Sequence, residues 1–277
     1  MTPQEGNDAP QNAAPGAKRQ VDVLDPARAN ALWATLDRPH LVEAGDPLPP
    51  FFHQIYFWDP KAPPHLGRDG HPRVGGLIPD MGLPRRMWAG GELTFHTPLK
   101  VGREADKRTS VASVARKEGR SGPLAFVTLQ HEVWQAGTLC VTELQNLVYR
   151  EDPQPGAPQP AAPTQDRAAE DSERVEFSST DLFRYSALTF NGHRIHYDMD
   201  YARDVEGYAH LVVHGPLLAQ LLMLKAESDL GALARFSFRG TAALTLGRSA
   251  WLCRSGTSLW VESEGRTLHM TAEATPL

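Results

Sequence analysis

Residues 211–226, LVVHGPLLAQLLMLKA, are a nearly all-apolar run, and the segments after them decide how it is read. Pro216 suits the first helical position, because its missing N–H is one that a helix start leaves unpaired in any case. Leu217, Leu218, Leu221, Leu222 and Leu224 cover most faces of such a helix, so it must be wrapped by other structure and not lie on a surface. RFSFRGTAALTLG (235–247) and LWVESEGRTLHMTAEA (259–274) follow, the latter broken at the turn-like Gly265-Arg266. The C-terminal part of the chain is therefore one buried helix followed by an antiparallel meander.

The same order occurs upstream. LPPFFHQIYFW (48–58) precedes RMWAGGELTFHTPLKVG (86–102), SVASVARKEG (110–119) and a pair of segments spanning 123–150 that turn at Ala136-Gly137. Alternation at Leu93 and Phe95, and at Val127, Leu129, Glu132 and Trp134, marks half-buried strands. Pro49-Pro50 is placed to start a short helix through Phe57, and Asp25-Pro26 to cap another through Asp37. The repeated order reads as an internal duplication. DPKAPPHLGRDGHPRVGG (59–76) has no counterpart in the other half and reads as an insertion.

Residues 1–20 and 151–171 carry Pro, Ala, Gly and Gln with no large apolar cluster, so little offsets the entropy of ordering them. The expected organisation is a disordered tail (1–20), an N-terminal unit (21–150), a Pro/Ala-rich linker (151–171) and a C-terminal unit (172–277).

The 28 Lys and Arg against 33 Asp and Glu give a formal net charge of −5, without the basic field that nucleic-acid binding requires. No apolar run approaches the roughly 18 residues needed to cross a bilayer. The start lacks a signal-like apolar region, and Cys140 and Cys253 alone cannot build a disulfide framework. These features point to a soluble cytoplasmic protein. His210 and His214 have the i, i+4 spacing of a zinc pair on a helix, but no third ligand follows at metal spacing, and neither a metal nor a cofactor is expected. GxGxxG, Walker A and GxSxG patterns are absent from the sequence.

Polar and aromatic groups are densest in FRYSALTFNGHRIHYDMDYARDVEGY (183–208), where Asn191, His193, His196 and Asp198 fall within eight residues. Such a loop can be turn chemistry alone. The stretch Ser186 to His196, followed by Val213-His214-Gly215, nevertheless resembles the MaoC-like hydratase 2 family, whose signature runs Ser-Gly-Asp-x-Asn-Pro-hydrophobic-His before a Val-His-Gly that opens the central helix. The version with Tyr-Ser-Ala-x-Thr-Phe-Asn-x-His-Arg-Ile-His-Tyr-Asp is similar to the subgroup of mesaconyl-C4-CoA and itaconyl-CoA hydratases and 3-hydroxyacyl-thioester dehydratases. Gly45 to Pro50, Pro84 to Gly91 and Phe126 to Arg150 extend the likeness.

The resemblance implies an α+β double hotdog, with antiparallel sheet wrapped around a central helix in each half, and reversible addition of water to the 2,3-double bond of an acyl-CoA. It also implies a homodimer or larger assembly. Gly215 would offer its backbone N–H, at the positive end of a buried helix, to the thioester oxygen on which charge develops. His196 would move the proton. Asn191 stands where the family has Asp. In one account Asn191 positions the water while His196 alone shuttles protons; in the other Asp198 or His193 supplies the missing group. The first is preferred, with Asp198 capping the turn that follows.

Arg184 and Tyr185 are candidates for binding CoA phosphate or a substrate carboxylate, with Arg194 and Arg86 behind them; His214 and Tyr208 are further substrate-binding candidates, and His210 shares the pocket mouth with Tyr208. Phe51, Phe52, Tyr56 and Phe57 either line an acyl pocket or are simply core. The N-terminal half has no comparable Asn/Asp-x4-His loop, so one active site per chain is expected. A non-catalytic acyl-CoA-binding protein and a hotdog thioesterase are the alternative functions.

Overall fold

The computed structural model describes residues 16–119, 122–152 and 161–277. Its strands are β1 (Lys18–Val23), β2 (Arg85–Phe95), β3 (Glu104–Gly119), β4 (Gly122–Gln135), β5 (Thr138–Arg150), β6 (Asp171–Val175), β7 (Leu233–Gly240), β8 (Ala250–Ser255), β9 (Ser258–Ser263) and β10 (Thr267–Pro276). They form one sheet in the order β1-β3-β4-β5-β2-β7-β10-β9-β8-β6. Read inward from each edge the two halves have the same order, β1-β3-β4-β5-β2 and β6-β8-β9-β10-β7. They meet where β2 pairs antiparallel with β7, Gly91 lying opposite Phe238. The duplication read from the sequence is thus visible in the topology, and the sheet is continuous across it.

Among the described residues there are three α-helices, of which the third packs on the sheet. α3 (Gly215–Leu230) is the apolar run, and it buries every residue from Leu217 to Met223. Its polar Gln220 donates through Nε2 to the Pro50 carbonyl at 2.8 Å, while its Oε1 is buried without a partner among the described residues. Gly231 ends it at φ 87, a left-handed conformation that glycine adopts without penalty. α1 (Pro26–Thr35) begins as read, with the Asp25 carboxylate accepting the Arg28 N–H. α2 (Ser179–Leu188) was not anticipated; Ser178 and Asp181 close a reciprocal capping box at its start. α1 follows β1 as α2 follows β6, and the two helices pack together.

Three expectations need correction. The helix expected from Pro49-Pro50 is a single 3-10 turn, Phe52–Ile55, because Phe51 (φ 68) and Phe57 (φ 60) reverse the backbone at both ends. Its aromatic side chains join the cluster that surrounds α3, so one core serves both halves. The tail expected over residues 1–20 ends earlier, since Lys18–Val23 pairs with β3; residues 1–15 lie outside the described residues. The linker expected over 151–171 is fastened at its C-terminal end, where Gln165 N–H donates to the Arg266 carbonyl at 3.0 Å and Asp171 opens β6; residues 153–160 also lie outside the described residues. No helix among the described residues is long and apolar enough to cross a membrane.

Candidate active site

The segment after α2 leaves the helix at Thr189 and turns at Phe190 (φ 50). The Asn191 Oδ1 accepts the His193 N–H at 3.0 Å, and the chain then makes a 3-10 turn over Arg194–His196. This loop reaches the segment that leads into α3 through His196, whose Nδ1–H donates to the Val212 carbonyl at 2.7 Å. A carbonyl only accepts, so this bond fixes the proton on Nδ1 and leaves the lone pair of the neutral ring on Nε2. Nε2 has no hydrogen-bond partner among the described residues. Burial pushes the His196 pKa down to about 3, against the Val212 bond that raises it. The ring is therefore held neutral, in the form that accepts a proton.

His196 lines a cleft of about 880 Å³ together with Asn191, His193, Tyr185, Tyr208 and Gly215. Gly215 is the first residue of α3, where its N–H has no acceptor within the helix. Gly215 lines the cleft, and a Cβ there would meet nothing within 4 Å. The base candidate and the oxyanion-donor candidate thus border the same space.

The other predicted residues fall in different places. His214 is fully buried behind His196, ring on ring at 3.6 Å, with its Nε2 bonded to Ser186 Oγ at 2.8 Å. It supports the base and does not line the cleft. Arg184 is exposed on α2 and also lies outside the lining. Arg194 is engaged by Asp198 at 2.7 Å and by the Arg68 carbonyl. Asp198 additionally accepts the Tyr201 N–H at 3.0 Å, the cap expected of it. His210 and His214 are not on a common helix, since α3 begins only at Gly215. Phe51, Phe52, Tyr56 and Phe57 are core, and none of them lines the cleft.

What the N-terminal half contributes instead is the first part of β2, with Arg86, Met87 and Trp88, and the loop read as an unmatched insertion. That loop is pressed onto the 191–196 segment. A Cβ at Gly70 would sit 2.0 Å from the Gly192 carbonyl oxygen, so only glycine permits the approach. The Arg194 N–H donates to the Asp69 carbonyl at 2.9 Å. Contact brings His71 to 4.5 Å from His193, ring centre to ring centre, and His193 in turn lies 5.4 Å from His196. The His71 Nδ1–H donates to Asp69 Oδ2 at 3.0 Å. Burial favours the neutral carboxyl, but the bond and charge of His71 outweigh it and hold Asp69 ionised. Burial, and then Arg86, lower the pKa of His71. Asp69, His71 and His193 present ligand-type atoms within 4.8 Å of one another, a spacing from which a divalent cation could be held.

Residues 51–246 match the family model for hydroxyacyl-thioester dehydratase type 2. The chain is 47% identical over 236 residues to the mesaconyl-C4-CoA hydratase of Chloroflexus aurantiacus, covering 83% of each chain. It is 26% identical to the mitochondrial hydroxyacyl-thioester dehydratase type 2 of Schizosaccharomyces pombe, over 78% of this chain and 80% of the other. Among solved structures, HtdX of Mycobacterium tuberculosis superposes with a TM-score of 0.67 at 18% identity, covering 94% of this chain and all of that one. A MaoC-like dehydratase from Phytophthora capsici gives 0.66 at 13% identity, over 95% and 96%. A Mycobacterium tuberculosis protein described as a double hotdog gives 0.55 at 14% identity, over 92% of each chain. At 18% identity or lower these three structures show the fold alone, whereas the family match spans most of the sequence. The chain belongs to the hydroxyacyl-thioester dehydratase type 2 family and has the double-hotdog fold of the MaoC-like dehydratases.

Proposed function

We propose that this protein is a hydro-lyase that reversibly adds water to the 2,3-double bond of an acyl-CoA thioester. The observation that carries the reading is the shared cleft bordered by His196, whose Nε2 is unbonded among the described residues, and by Gly215 at the start of α3. In hydration, His196 Nε2 takes a proton from water as its oxygen bonds to C3. The π pair moves onto the thioester oxygen, where the Gly215 N–H and the α3 dipole meet the growing charge. The same proton then passes to C2, the carbonyl re-forms, and His196 is neutral again. Asn191 orients the water and takes no proton.

The preferred substrate is a C4–C5 dicarboxylic or branched acyl-CoA, such as mesaconyl-C4-CoA or itaconyl-CoA. The 47% identical relative is named for the first of these. Arg86 supports an anionic acyl group: it lines the cleft, and no carboxylate among the described residues lies within ion-pair distance of it. The neighbouring Arg85 is already neutralised by Glu206 at 2.6 Å. Exposed Phe183, Phe190 and Tyr197 border the same cleft and offer apolar surface to the CoA arm. The reading extends to a cytoplasmic homodimer or larger assembly, which sedimentation of the purified chain checks.

The test is loss of conjugated-thioester absorbance with mesaconyl-C4-CoA, itaconyl-CoA and crotonyl-CoA. Turnover is expected, and Arg86→Ala should raise KM about tenfold for the dicarboxylic esters while leaving crotonyl-CoA unchanged. Binding without turnover would instead establish a non-catalytic acyl-CoA-binding protein, and release of free CoA thiol a thioesterase.

A further inference from the structure

A base held neutral as firmly as His196 needs a compensating negative charge while it carries the proton, and the amide at 191 supplies none. The charged groups packed around the imidazole series are few. Arg86 on β2 is positive and opposes protonation of both His71 and His193. Asp198 is taken by Arg194 and by the Tyr201 N–H. Glu206 is taken by Arg85. From the α3 side come only the neutral His214 and the Val212 carbonyl. Among the described residues, the remaining carboxylate in contact with the series is Asp69. Its Oδ1 and Oδ2 accept the backbone N–H and the Nδ1–H of His71, each at 3.0 Å. Rings then follow at 4.5 Å from His71 to His193 and at 5.4 Å from His193 to His196. The mutual glycine contact of Gly70 and Gly192 fixes the loop that brings it there.

We infer that Asp69, acting through His71 and His193, is the counter-charge for the imidazolium formed at His196, and that a carboxylate on the inserted loop thereby replaces the one missing at position 191. Asp69 accepts no proton in the cycle; the water proton goes to Nε2 of His196 and from there to C2. It is a positioning residue, not a catalytic one. The inference rests on the hydration reading, and the two fail differently: a wild-type enzyme that hydrates none of the esters sinks the reading itself.

Given wild-type turnover, Asp69→Asn keeps one oxygen acceptor for His71 and removes the charge together with the second acceptor. Its kcat should fall roughly 10- to 100-fold with KM unchanged. Asn191→Asp placed in the same chain should then return much of the lost kcat, because it restores a carboxylate to the histidines from the other side. A loop-holding role would not be rescued from position 191. Three outcomes overturn the inference: Asp69→Asn within twofold of wild type, a loss that Asn191→Asp does not recover, or activity abolished by chelator and restored by zinc. The last would make Asp69, His71 and His193 metal ligands.

Discussion

Two groups of buried histidines are finished differently. In the N-terminal half His131 uses both ring nitrogens: it accepts from Thr109 Oγ1 at 2.8 Å and donates through Nε2–H to Gln145 at 3.1 Å. His53 donates to Glu143 at 2.8 Å, and Gln54 donates to the same oxygen at 2.7 Å. In the C-terminal half His196 spends one nitrogen on Val212 and leaves the other to the cleft. A buried polar group costs free energy unless it is paired. The paired set therefore holds the sheet together, and the half-paired set keeps a reactive atom available. Duplication gave both halves the same strand order, but only one kept the long helix whose start can face a substrate.

The sharpest way to break this comparison is to truncate one histidine of each set. His196→Ala should lower kcat/KM by about 10³-fold, within the range for a lost general base, with little change in unfolding free energy. Hydration rates with mesaconyl-C4-CoA and urea denaturation of the same sample check both parts. Near-normal turnover would reject the assigned base.

His53→Ala should do the reverse. It leaves the buried Glu143 carboxylate without its strongest partner, and breaking such a pair costs about 3 to 5 kcal/mol. The folded fraction should keep its kcat. The pH dependence of stability sharpens the point. Burial lowers the pKa of His131 to about 4, so the folded protein binds this proton only well below the unfolded value near 6.5. Its contribution is complete above pH ~6.5 and is lost as pH falls, by about 2 kcal/mol at pH 5. Glu143, held down to about 2 by His53 against the effect of burial, keeps its charge in the folded state through this window and loses stability in the same direction below its unfolded value. Denaturant midpoints between pH 7 and 5 should fall accordingly, and Gln at position 131 should flatten the upper part of the slope.

Much of this arrangement was legible in the sequence because it is local. The start of α3, the strand pairs and the Asn191-to-His196 loop each announce themselves within a dozen residues. α2 carried a local signal as well, the capping box of Ser178 and Asp181, which the aromatic motif downstream obscured. The insertion is a different case. Nothing near Asp69 and His71 says that they face His193, more than a hundred residues away, because that contact depends on two glycines meeting backbone to backbone. The role of the aromatic residues at 51–57 was equally undetermined, since core and pocket walls call for the same side chains.

The smallest effect should come from His214, which belongs to neither set cleanly. It is as buried as His131 but is paired on one side only: Nε2 bonds to Ser186, while Nδ1 has no partner among the described residues. Burial and the neighbouring His196 hold its pKa well below the usual range, so it stays neutral and works by contact, its ring flat against the base at 3.6 Å. Ser186→Ala removes the remaining bond and should cost about 1 kcal/mol in stability. The ring that backs His196 is then free to tilt, so kcat should fall severalfold while KM holds. A stability loss with no change in kcat would place His214 with the paired set of the other half; a kcat loss as large as that of His196→Ala would mean that it handles the proton itself.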